Sequence, residues 1–195
     1  MLTIHTADLL IPGDGRPSLP DGAVLVEGRR LAAVEVYEDL AAAHPSARVR
    51  RWPGVLTPGL VNPHGPELLE QAYHPDPRED LGSEPLTGEA LESLDMTDAR
   101  WGASARRGVQ RMLAHGVVAV RGELRRPAVT DAVHRSGLTI EHRFTGPEGR
   151  PSLTSASFAT PLLPHGEATF AIFETAELTT CVATVIKGRL LHRRR

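Results

Sequence analysis

The sequence predicts a mixed α/β protein in which short strands at both ends of the chain flank a parallel β–α–β–α–β unit. Three observations lead there. Residues 2–52 are short alternating apolar–polar runs separated by turns rich in Gly, Asp and Pro. Residues 98–140 switch to helical periodicity, interrupted by short apolar runs. Residues 165–191 return to strand-like alternation.

Taken in order, Leu2-Thr3-Ile4-His5 alternates and Leu9-Leu10-Ile11 continues it before the Pro12-Gly13-Asp14-Gly15 turn. Ala23-Val24-Leu25-Val26 and Leu31-Ala32-Ala33-Val34 read as paired strands around a Glu27-Gly28-Arg29-Arg30 hairpin turn. Residues 39–44 form a short helical or loop connection, and residues 47–52 alternate again. Residues 55–65, V-L-T-P-G-L-V-N-P-H-G, read as a short buried strand that delivers His64 to its C-terminal end. Four prolines at 66, 75, 77 and 85 then argue against a long helix before Thr87, so residues 67–92 read as an acidic, exposed loop. A short helical turn from Thr87-Gly88-Glu89-Ala90 through Leu94 ends it.

Residues 98–115 carry the clearest helix signal. Thr97 or Asp98 caps it, and Trp101, Ala105, Val109, Met112 and Leu113 give one apolar face. Its C-terminus is marked by His115-Gly116, and Val117-Val118-Ala119-Val120 follows as a buried strand. A second unit repeats the pattern: Pro127 at a helix start, Ser136-Gly137 as its stop, and Leu138-Thr139-Ile140 as strand. Strands joined through helices in this way pair in parallel with right-handed crossovers. Residues 145–164, rich in Gly, Pro, Ser and Thr, read as a connector.

Composition narrows the function classes. The chain has 195 residues, a formal net charge of −2 and a single cysteine, Cys181. No intrachain disulfide and no cysteine-based zinc site can form, and Cys181, within an alternating run, reads as a small buried hydrophobe. Of 22 Lys+Arg, all but Lys187 are Arg, a coding bias rather than a phosphate-binding pattern. Nucleic-acid binding is not expected. The Arg193-Arg194-Arg195 run reads as a solvated tail. No apolar stretch approaches the roughly 18 residues of a membrane span, and the N-terminus lacks a leader pattern, so a cytoplasmic protein without membrane contact is expected. Gly-rich phosphate loops and G-x-S-x-G elbows are absent from the sequence.

Residues 55–65 closely resemble the segment L-T-P-G-L-V-D-x-H-x-H, which opens the barrel of metal-dependent amidohydrolases. R-M-L-A-H-G-V-V-A-V at residues 111–120 resembles that family's first helix and second barrel strand. Residues 165–173 resemble its closing G..ADfavfd, and residues 181–191 its last hairpin. The imidazolonepropionase-like branch is the most similar. The resemblance implies that the two ends of the chain, 1–54 and 165–195, form a small composite β-sandwich. Residues 55–145 are then a truncated parallel βαβαβ unit, the remnant of a TIM-like barrel, with 146–164 as connector. A complete barrel alone takes roughly 200 to 250 residues.

The family hydrolyses carbon–nitrogen, non-peptide bonds with a metal that activates water. The resemblance implies two histidines on the first strand, single histidines on the fifth and sixth, an Asp on the eighth, and in binuclear members a bridging Lys on the fourth. Only His64 has a counterpart. Asn62 stands where Asp is usual, and Pro66 replaces the second histidine. A rebuilt cluster is conceivable from His64, Glu123 and His142, which all fall just past strand ends, where ligands of open α/β sheets gather. The expectation is a protein whose catalytic metal site is lost and which binds or assembles, with no cofactor. The alternative is an active cyclic-amide hydrolase or deaminase using zinc or iron, with a rebuilt site or a partner subunit. Bare sheet edges predict a homodimer or a complex with a full-length relative, and a small cyclic amide or nucleobase-like compound is the ligand class implied.

Overall fold

The structure, a computed structural model, describes residues 1–194; Arg195, at the end of the basic tail, lies outside the described residues. Its elements run β1 (Leu2–Leu10), β2 (Leu19–Pro20), β3 (Gly22–Glu27), β4 (Arg30–Val36), α1 (Tyr37–Ala43), β5 (Arg48–Pro58), β6 (Leu60–Asn62), α2 (Gly65–Leu69), α3 (Glu89–Glu92), α4 (Asp98–Ala114), β7 (Val117–Arg121), α5 (Pro127–Ser136), β8 (Thr139–Glu141), β9 (Ser157–Phe158), β10 (Phe170–Phe173), β11 (Cys181–Ile186) and β12 (Arg189–Arg193). The mixed α/β class is as the sequence predicts. The chain divides into two compact units. One holds residues 1–60, 113–118 and the segment from Phe158 onward; the other holds 61–112 and 119–157. No helix among the described residues is long and apolar enough to cross a membrane.

The first unit is built on an eight-stranded sheet ordered β12–β11–β10–β5–β1–β3–β4, with β2 beside β1. The two ends of the chain meet in one hydrogen-bonded sheet rather than in two stacked sheets. Strand β5 is the reason, since it pairs in parallel with β1 on one side and antiparallel with β10 on the other. The sheet curls. Ala7, Val24, Leu31, Trp52, Leu56, Phe170 and Val185 share one apolar cluster, although β11 and β4 lie near opposite ends of the strand order. Hydrogen bonds from Leu31 N to Gly166 O (2.9 Å) and from His165 N to Leu31 O (2.7 Å) hold that curl. On the other face, Leu40 of α1 covers Ile4, Ala23 and Leu25. Lys187 and Gly188 both take positive φ, the two-residue turn that matches strand twist.

The stretch read as delivering His64 is divided between two strands, parted at the Thr57-Pro58-Gly59 turn. Strand β5 runs eleven residues to Pro58, and β6 begins only after Gly59. A side chain at Gly59 would place its Cβ 2.4 Å from a methyl of Val118, so the break falls where only glycine fits. The segment read as a connector is tied down at its end: Ala159 N donates to Gly59 O (2.8 Å), Leu162 N donates to Pro12 O (2.9 Å), and Leu162 is buried.

In the second unit, the apolar face of α4 is buried through Trp101, Ala105, Val109 and Met112. Thr97 caps this helix, its Oγ1 accepting from Arg100 N at 3.3 Å. Helix α5 starts with Pro127 and stops at Gly137, whose φ is 89°. Strands β7 and β8 pair in parallel, Val120 opposite Ile140, in a sheet ordered β8–β7–β6–β9. Residues 67–92 depart from the exposed loop expected of them. Leu68, Leu69, Ala72, Tyr73 and His74 are buried, and Tyr73 and Leu86 exchange two backbone hydrogen bonds of 2.8 Å. Pro66, at the N-terminal turn of α2, starts a helix here instead of preventing one.

Candidate functional site

Strand β6 ends at Asn62, a fully buried side chain with two roles. Its Oδ1 accepts from His64 N (2.9 Å), and its Nδ2 donates to Ser152 O (2.8 Å). It therefore orients the backbone that carries His64 and anchors the segment around Ser152. The His64 ring follows the strand as the N-cap residue of α2 and is 1% exposed. Neither of its ring nitrogens has a hydrogen-bond partner among the described residues. A buried polar atom in that state costs about 1–3 kcal/mol, so His64 is the most costly feature of this strand end.

The walls around His64 are close. A Cβ on Gly65 would lie 2.8 Å from Arg121 O. Pro66 packs on Gly122, whose φ of 125° and whose approach, 2.4 Å from a Cβ position to Pro66 Cδ, admit no side chain. Arg143 closes one flank, donating from Nη1 to both oxygens of Glu67 (2.9 and 3.0 Å) and to Pro63 O (3.0 Å). Glu70 receives the backbone N–H groups of Arg125 (2.9 Å) and Arg126 (2.6 Å), which fixes the approach to α5. Glu67, Glu70 and Arg143 carry no signal in the sequence, because each finds its partner far along the chain.

The other two residues expected at the site lie differently. Glu123 is exposed. His142 is exposed too, its ring edge-on to Phe144 with centroids 4.7 Å apart. Among the described residues there is no group of three or more His, Cys, Asp or Glu side chains placed to hold a metal ion. The structure thus does not bring His64, Glu123 and His142 into a metal-holding set. Strand ends put residues at a common edge, but backbone placement leaves the side chains free to turn to solvent. A catalytic zinc needs three protein ligands. Here one imidazole is present, and Pro66, which has no lone pair to offer, fills the neighbouring position. The donor set does not fit a catalytic metal.

Two further histidines are buried, and neither was singled out by its spacing. His74 donates from Nε2 to Leu68 O (2.8 Å), since that carbonyl can only accept, and burial lowers its pKa. His5 accepts at Nδ1 from Trp52 Nε1 (3.2 Å), and its pKa is lowered to about 4, first by burial and then by Arg50 and Arg48. Both are held neutral by the interior, which is a structural role.

The fold is similar to that of amidohydrolase-superfamily enzymes, at low sequence identity. The structure of A. niger ochratoxinase matches with a TM-score of 0.51 and 26% identity, over 72% of this chain and 31% of that one. Helicobacter pylori aminofutalosine deaminase matches with a TM-score of 0.49 and 15% identity, over 73% and 33%. An adenosine deaminase from Xanthomonas campestris, solved with bound zinc, matches with a TM-score of 0.49 and 18% identity, over 71% and 32%. The chain spans about a third of the length of these solved structures. No family model and no curated protein matches it.

Proposed function

We propose that this chain is an amidohydrolase-related protein whose strand-end metal chemistry has been replaced by a binding or assembly role. The likeness to ochratoxinase supports the relationship. One observation carries the loss of chemistry: His64 stands without a second ligand, and Pro66 fills the adjacent position by packing on Gly122. On this reading the N- and C-terminal segments form the composite domain of the family and residues 55–145 are its barrel remnant. The ligand class is a small cyclic amide or nucleobase-like compound. The assembly is a homodimer or a complex with a full-length relative.

The experiment is metal analysis of protein purified without chelator, together with turnover assays on cyclic amides and aminopurine-like compounds. The expected result is substoichiometric metal and no turnover. Stoichiometric zinc or iron that disappears in His64→Ala overturns the proposal. The unpartnered nitrogens of His64 are the one feature that favours the second reading, an active zinc- or iron-dependent hydrolase or deaminase completed by a partner subunit. Sedimentation at micromolar concentration separates the assemblies, and a monodisperse monomer argues against both a dimer and a standing complex.

A further inference from the structure

The second unit holds a concavity unrelated to the strand end. Ala103, Arg106, Arg107, Gln110 and Arg111 recur at three- and four-residue spacing on α4, so they share one side of the helix. They face the loop of residues 75–77 across a cavity of about 400 Å³, within the range of small-molecule sites. Among its polar groups, donors dominate. Three arginines, whose guanidiniums each carry five N–H groups, and one carboxylate, that of Asp76, line it. The local formal charge is therefore about +2 in a chain whose net charge is −2.

Two of the three guanidiniums are held in place by bonds that use only part of their donors. Arg107 donates from Nε to His74 O (2.7 Å) and from Nη2 to Tyr73 Oη (3.2 Å), while Nη1 stands 3.6 Å from Asp76. Tyr73 is fixed in turn by Glu79, to which its hydroxyl donates at 2.6 Å. Arg111 donates to Ser83 O. Arg106 is exposed and makes no ion pair among the described residues; its Nη1 lies 3.6 Å from the Cβ position of Gly102, so it also borders the hollow between α4 and α5 and has to swing toward Asp76 to meet a ligand in this cavity. Pre-positioned guanidinium forks match carboxylate and phosphate oxygens, and little ordering cost remains when such an anion arrives. A monophosphate would meet one guanidinium fork at a time, whereas several arginines along one wall match a ligand with more than one anionic group.

We propose that the cavity between α4 and the loop of residues 75–77 binds a small polyanion bearing two or more phosphate or carboxylate groups. The test is isothermal titration of the full chain with pyrophosphate and with citrate, against chloride at matched ionic strength. Saturable binding of pyrophosphate alone assigns the phosphate class, of citrate alone the carboxylate class, and of both a general oxyanion site. Arg106→Gln and Arg111→Gln are each expected to weaken binding about tenfold. Gln110→Glu should abolish it, and Asp76→Asn, which removes the competing charge, should strengthen it a few-fold. Arg29→Gln, an exposed turn residue of the first unit, should leave it unchanged. Circular dichroism establishes that each variant is folded. No saturable binding to either anion overturns the proposal. So does equal weakening by Arg29→Gln, which would show attraction to net charge rather than to this cavity.

Discussion

Acidification should destabilise this protein through His5, and the effect can be sized. His5 lies on β1, 3% exposed, stacked on Trp52 at 6.1 Å between centroids and edged by Phe170 at 5.0 Å. Trp52 Nε1 donates to its Nδ1, so the resident proton is on Nε2. A second proton at Nδ1 would face the indole N–H directly. Burial, then Arg50 and Arg48, lower its pKa from 6.5 to about 4. The unfolded chain accepts the proton near pH 6.5 and the folded chain only near pH 4. Falling pH therefore favours the unfolded state. The contribution of neutral His5 is fully present above pH 6.5, declines as pH falls, and is gone once pH passes below about 4. At about 1.4 kcal/mol per pH unit, that window corresponds to about 3 kcal/mol.

Lowered pKa values at His74, His115 and His192 act in the same direction, so the wild-type slope alone does not isolate His5. The informative comparison is His5→Asn, whose side-chain oxygen can still accept from Trp52 but does not titrate. Urea unfolding is followed from pH 7.5 to pH 4.5 for both proteins at constant ionic strength. The wild type should lose about 2–3 kcal/mol more than the variant over that range. Parallel curves, within about 0.5 kcal/mol, would refute the assignment of His5 as a buried neutral base.

Three other outcomes follow from the packing. Gly116 has a φ of 79° and its Cβ position lies 2.5 Å from Phe173 Cζ, so Gly116→Ala should cost about 2 kcal/mol or more by denaturant unfolding; an unchanged midpoint contradicts the close approach. Glu70→Ala leaves the backbone N–H groups of Arg125 and Arg126 without their carboxylate, and should cost about 1 kcal/mol and speed amide exchange at the start of α5. Pro66→His raises the imidazole count at the strand end to two, still one short of a catalytic zinc site; the variant should not retain stoichiometric zinc through gel filtration, and retention would show that the surroundings supply the missing ligand.

The difference between what the sequence made legible and what it did not follows from the reach of each interaction. Helices α4 and α5 were legible because their signals are local: Thr97, Pro127 and Gly137 act within a turn of themselves. The first hairpin was legible for the same reason, through Gly28. The role of β5 was not, because its partners β1 and β10 are chosen by packing across the whole first unit and not by any residue near Trp52. The burial of Tyr73 and His74 was hidden by prolines that read as loop. Those prolines do break the chain into short pieces, yet the pieces lie against α4, where Arg107 satisfies the backbone carbonyl of His74.

The strand end shows the same division at finer scale. The pattern around Gly59 placed His64 correctly at the end of a buried strand, because alternation and turn residues determine where a strand stops. It also placed Glu123 and His142 just past β7 and β8. What it could not supply was side-chain direction. His64 turns inward because Asn62 holds its backbone N–H, while no comparable contact turns Glu123 or His142 toward it. On the proposed reading, the identity of residue 66 then decides the chemistry. A histidine there would need room beside β7, whereas Pro66 occupies that room against Gly122, a glycine that both its φ and this contact require. Proline and glycine thus fit each other at the position where a second ligand would have to enter. Reversing one alone leaves the other in place, which is why the single substitution Pro66→His is expected to fall short of a metal site.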